Sequence, residues 1–67
     1  MNLQEVIKTR RKTLGISQLD LAEMSDISLS TVKDIERGHA NPSLATISKL
    51  LDVLGMEIIY RIHRKIQ

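Results

Sequence analysis

Three glycines, Gly15, Gly38 and Gly55, cut this chain into short segments. Each follows apolar residues at helical spacing, where a glycine ends a helix most readily. In the first segment, Leu3, Val6, Ile7 and Leu14 recur on one helical face, and Asn2 can cap that helix with Glu5 three residues on. After Gly15, Ser17 restarts a helix and Asp20 stands where a capping box requires it. Leu19, Leu21 and Ala22, with Met24 as a further candidate, supply its apolar side, and it ends near Ser25. Asp26 falls where the chain must turn at once, and aspartate tolerates the left-handed conformation better than most residues. Ser28 then caps a third helix with Ile27, Val32 and Ile35 facing inward, and Gly38 stops it. A fourth helix is capped either by Asn41, with Pro42 in the first turn, or by Ser43. Leu44, Ile47, Leu50, Leu51 and Leu54 form its apolar face before Gly55.

With 67 residues the chain has room for a single domain spanning 1–67, and folding removes only roughly 60% of its extended surface. The 42% apolar content includes one aromatic residue, Tyr60, so the core is aliphatic. There is no cysteine, hence no disulfide, thiolate metal site or thiol nucleophile. Without a Gly-rich phosphate loop or metal-ligand spacing, the composition argues against an enzyme and against any cofactor or metal. His39 and His63 read as surface residues, and Met24 and Met56 as core filler. The net charge of +2 is a weak pointer to a polyanion. With no apolar run beyond Ile58, Ile59 and Tyr60 and a charged N-terminal stretch, the expectation is a soluble cytoplasmic protein with no membrane segment.

From Met56 the period changes from helical to two. Met56, Ile58, Tyr60 and Ile62 face one way, and Glu57, Ile59, Arg61 and His63 the other. This predicts a strand over 56–64, with a fifth helix or a frayed tail as alternatives. No other segment is a credible strand, and a strand cannot stand alone. Its economical partner is the same strand of a second copy, antiparallel across a two-fold axis, with Met56, Ile58, Ile59, Tyr60, Arg61 and Ile62 in the interface. The expected fold is therefore mostly α: a four-to-five-helix bundle over 1–55 and a C-terminal dimerisation strand in an intermolecular antiparallel sheet.

Residues 16–38, ISQLDLAEMSDISLSTVKDIERG, are two short helices joined by a tight turn, with the small Ala22 where they cross. That spacing, carried on through NPSLATISKLLDVLG at 41–55, resembles the Cro/C1-type (XRE) helix-turn-helix family, which includes lambdoid phage repressors. Gln18, Ala22, Val32 and Ile35 fall on that family's pattern, while Asp26 stands where it usually has glycine. The resemblance implies a lambda-repressor-like fold and a repressor that reads a palindromic operator in double-stranded DNA. The ending, LGMEIIYRIHRK at 54–65, is similar to HipB-like antitoxins, which repress their own operon and bind a HipA-type kinase. A stand-alone phage-type or housekeeping regulator is the alternative.

If the third helix enters the major groove, its outward residues meet DNA. Lys33 can donate to guanine, Ser30 and Thr31 can bond to several bases, Leu29 can pack on a thymine methyl, and Asp34 can accept from cytosine. The resemblance places Leu29, Ser30, Lys33 and Asp34 on base-reading positions. Candidates for the DNA backbone are Ser17 and Gln18 at the second helix, Ser28, and then Arg37, His39, Asn41 and Ser43. Arg11 and Glu36 match a pair that the family uses structurally, to position the recognition helix. Lys8, Arg10 and Lys12 remain for phosphate attraction or solvation.

Overall fold

The computed structural model describes residues 2–63. Four helices follow one another: α1 (Leu3–Thr13), α2 (Gln18–Ser25), α3 (Leu29–Glu36) and α4 (Leu44–Val53). All four start on a side-chain cap. Asn2 accepts from the Glu5 N–H, Ser17 from Asp20, Ser28 from Thr31 and Ser43 from Thr46. At α2 the cap is a full box, because the Asp20 carboxylate in turn accepts the Ser17 N–H at 3.0 Å. Of the two starts open for α4, Ser43 is the cap, and Asn41 and Pro42 precede the helix.

The core draws on every helix. Ile7 of α1, Leu21 and Ala22 of α2, Val32 and Ile35 of α3, Leu50 and Leu51 of α4, and Leu54 behind it form one buried cluster. Ile7, Leu21, Val32, Leu50 and Leu54 are fully enclosed, each side chain contributing about 1.5–3 kcal/mol of transfer free energy. Because α2 is only two turns long, its buried side is filled by Leu21, Ala22 and Ser25, and the Ser25 hydroxyl donates back to the Leu21 carbonyl. Leu19 and Met24, expected on that side, are 50% and 63% exposed, since neither shares the Leu21–Ser25 stripe. Leu14 and Leu44 also lie open, at the ends of their helices, and Met56 is at the surface rather than in the core.

Asp26 joins α2 to α3 in the left-handed region at φ 58°, the one non-glycine with positive φ among the described residues. The following N–H, of Ile27, donates to the Ala22 carbonyl at 3.1 Å, which fixes the direction in which α3 departs. A side chain here carries a steric cost that glycine lacks. Asp26→Gly is therefore expected to raise stability by about 0.5–1 kcal/mol, and Asp26→Val to lower it by more than about 1 kcal/mol. Urea melts of the two variants beside the parent check both signs.

Residues 56–63 form no helix, so the fifth-helix alternative is not realised there, and among the described residues there is no strand. A strand that pairs only between copies has no ladder to join within one chain. Residue 64, at the end of the expected strand, lies outside the described residues. Ile59, Tyr60 and Ile62 are 76%, 79% and 89% exposed. No described helix is long and apolar enough to cross a membrane.

Candidate nucleic-acid interface

The α2–turn–α3 unit is held by a charged lock that starts on α1. The Arg11 guanidinium grips the Glu36 carboxylate in two places, Nε to Oε2 at 2.7 Å and Nη2 to Oε1 at 2.9 Å, and donates its remaining arm to the Ile16 carbonyl at 3.0 Å. The Gln18 amide adds a fourth bond, Nε2 to Glu36 Oε1 at 3.2 Å. One carboxylate at the end of α3 thus ties together α1, the entry to α2 and α3. Both charged side chains are largely buried, with 11% and 2% of their surface exposed. Burial raises the Glu36 pKa, but the bonds from Arg11 and Gln18 and the nearby Arg11 and Lys8 charges outweigh it, so the carboxyl is held below its ordinary value. The same bond raises the Arg11 pKa further above its ordinary range.

This lock turns the outer row of α3 to solvent. Ser30 and Lys33 are exposed, on the side opposite buried Val32, Ile35 and Glu36. The Ser30 hydroxyl also lies 3.3 Å from Ser28 Oγ, and the other expected base readers are engaged within the chain. Leu29 is half-buried against the core and, with Leu19 and Ile27, lines an open groove of about 300 Å³ between α2 and α3. The Thr31 hydroxyl accepts from Ser28 Oγ at 2.7 Å at the helix cap. Asp34 is paired with Arg37 one turn on, at 2.5 Å. That contact offsets the repulsion Asp34 would exert on a phosphate, and it occupies Arg37, which was expected on the DNA backbone. Both members are solvent-accessible, Arg37 with 60% and Asp34 with 44% of its side-chain surface exposed.

Among the expected backbone contacts, Ser17, Ser28 and Ser43 are helix caps whose hydroxyls already accept backbone N–H groups. Gln18 turns to Glu36, so its amide positions the helices instead of standing free for a phosphate. His39 and Asn41 are exposed beyond the end of α3.

Two contacts escaped the sequence reading. Arg10, expected to be solvated or to attract phosphate, is half-buried, and its Nε donates to the Leu54 carbonyl at 3.0 Å, tying α1 to the end of α4. The Gln4 side chain lies over Gly38, where an added Cβ would meet its Oε1 at 2.1 Å. For Gly38, at φ 77°, the required conformation and the close approach coincide.

A helix-turn-helix family profile matches residues 7–60. The chain is 38% identical over 58 residues to the immunity repressor of Bacillus phage phi105, covering 87% of this chain and 40% of that protein. It is 43% identical over 53 residues to an HTH-type transcriptional regulator of Haemophilus influenzae, covering 79% and 53%. A third HTH-type transcriptional regulator, from Methanothermobacter thermautotrophicus, is 33% identical over 57 residues, 85% of this chain and 83% of its own length. The chain thus spans about half the length, or less, of the first two relatives.

Proposed function

Because the chain belongs to the helix-turn-helix family, whose profile it matches over residues 7–60, we propose that it is a sequence-specific DNA-binding transcriptional repressor. Membership of that family, among relatives named as transcriptional regulators, separates it from enzymes. The observation that carries the reading is the outer row of α3, with Ser30 and Lys33 exposed on a helix locked from behind by Arg11 and Glu36. Inserted in a major groove, Lys33 donates to guanine O6 and N7, Ser30 bonds to a neighbouring base, and the open part of Leu29 meets a thymine methyl. Thr31 and Asp34 border this row. The exposed His39 and Asn41, Arg37 once it lets go of Asp34, and the helix N-termini at Ser17, Gln18 and Ser43, rather than their engaged side chains, flank it as contacts to the phosphates. Ser28 stays with the cap of α3.

The protein acts as a homodimer in the cytoplasm, its C-terminal segments paired as antiparallel strands, so that two copies of α3 read the half-sites of a palindrome. The exposed apolar side chains at 56–62 support this arrangement. The narrower role, an antitoxin that represses its own operon and holds a HipA-type kinase, rests on the resemblance of residues 54–65 to HipB-like proteins. The named phage repressor favours the alternative of a phage-type regulator with no toxin. Co-purification with the product of an adjacent kinase gene separates the two.

Lys33→Ala is expected to weaken operator binding by about 1–3 kcal/mol and to relax the preference at one base pair. Titration against duplexes changed one base at a time checks it. Equal loss on every duplex would make Lys33 a phosphate contact instead.

A further inference from the structure

We propose that the two C-terminal segments of the dimer pair in one register, centred on Ile59 opposite Ile59 of the second copy. The inference rests on the dimeric reading above. It follows from the order of charges in a segment whose side chains stand open to solvent.

In an antiparallel pair related by a two-fold axis normal to the sheet, directly opposed residues point to the same side. The axis must then pass beside a residue, and each choice fixes every pair. Centring on Glu57 or on Arg61 opposes that residue to its own like charge. Centring on Ile58 sets Glu57 against Ile59, and centring on Tyr60 sets Ile59 against Arg61. Only centring on Ile59 matches the whole row: Glu57 meets Arg61 on both sides of the axis, Ile58 meets Tyr60, and Met56 meets Ile62.

The face carrying Met56, Ile58 and Tyr60 also has a surface to rest on. These three and the neighbouring Glu57, with Leu44, Ser48, Leu51 and Asp52 of α4, line an open groove of about 320 Å³. In this register the second copy's Ile62 arrives beside Met56, at the mouth of the groove. Ile62 is 89% exposed in the single chain, and the pairing gives it an apolar neighbour in Met56.

The chain has no cysteine, so a single introduced thiol reports the register directly. Ile58→Cys, Ile59→Cys and Tyr60→Cys are made separately in the full chain and oxidised mildly. Opposed residues lie about 4.5–5.5 Å apart between Cα atoms, within disulfide reach, whereas residues 58 and 60 stand about 7–8 Å from their own copies. Ile59→Cys is expected to cross-link to itself roughly tenfold faster than the other two, and a mixture of Ile58→Cys with Tyr60→Cys to cross-link as a heterodimer. In a separate series followed by sedimentation equilibrium, Glu57→Arg is expected to raise the dimer dissociation constant roughly tenfold, with adding Arg61→Glu restoring it. Self-cross-linking that is fastest at 58 or 60, or a double variant as weak as the single, overturns the register while leaving the dimer standing. A parent chain that sediments as a monomer at tens of micromolar overturns the dimeric reading itself.

Discussion

Arg11→Ala is expected to lower stability by about 3–5 kcal/mol, a large part of what a domain of this size possesses. The loss comes from what stays behind more than from the bond removed. Without the guanidinium, the Glu36 carboxylate, with 2% of its side chain exposed in the parent, keeps only the Gln18 amide as a side-chain donor, while the Ile16 carbonyl loses its bond from Nη1. Replacing both partners together, as Arg11→Met with Glu36→Leu, is expected to cost much less, because no buried charge is stranded. A thermal or urea melt of the two variants checks the ordering. Equal losses would mean that the ion pair stabilises the fold by itself, through attraction greater than its desolvation.

The same pair sets an acid limit. The folded-state pKa of Glu36 lies below its ordinary 4.5, so its contribution is fully present above that value and is lost as pH falls through the lower folded pKa. In Arg11→Ala the burial that raises the pKa is opposed by fewer bonds, so the folded value moves up toward or past the unfolded one and acidification removes less stability, or restores some by neutralising the stranded charge. Melts repeated between about pH 3 and 7 should show the parent level down to about 4.5 and declining below it, with the gap between parent and variant narrowing as pH falls.

Truncation after Gly55 is expected to leave the helical domain folded and to weaken binding to a palindromic operator by about a thousandfold. The two outcomes separate because every member of the buried cluster lies at or before Leu54, while Ile59, Tyr60 and Ile62 are exposed. Removing them withdraws little from the single chain's core. It removes the surface that joins two reading heads, and a half-site bound by one head forfeits the effective concentration that the second receives from the link. Circular dichroism and sedimentation report the fold and the mass, and titration of the parent and truncated chains reports the affinity. A truncated chain that still sediments as a dimer would move the interface onto the helical bundle.

What could be read from the sequence is mainly what acts over three or four residues. The caps at Asn2, Ser17 and Ser28 each bond a backbone N–H three residues on, so composition and spacing determine them within one turn, whereas at α4 the same local rule left Asn41 and Ser43 open and the structure selects Ser43. Asp26 was legible for the same reason, since a turn between two short helices leaves few conformations. Leu19 and Met24 misled because α2 is so short that its apolar residues do not define one stripe; which of them is buried depends on where α3 and α4 fall. The bond from Arg10 to the Leu54 carbonyl joins residues 44 apart, and no local rule distinguishes Arg10 from its charged neighbours. Gln18 was read as a phosphate contact from its place at the start of α2, whereas its side chain completes the Glu36 lock. The expected pairing of Arg11 with Glu36 came from the family resemblance; the geometry adds that the pair is bidentate, buried and joined by a third side chain.

The proposed role of α3 is to read a specific sequence in duplex DNA. Fluorescence-anisotropy titration of the purified chain against labelled DNA from upstream of its own gene, and against a scrambled duplex of equal length, tests it most directly. Repetition at several salt concentrations isolates the phosphate component of the affinity. A preference for the upstream duplex of about a thousandfold or more is expected, with affinity falling steeply as salt rises. Equal, weak binding to both duplexes at every salt concentration would contradict it.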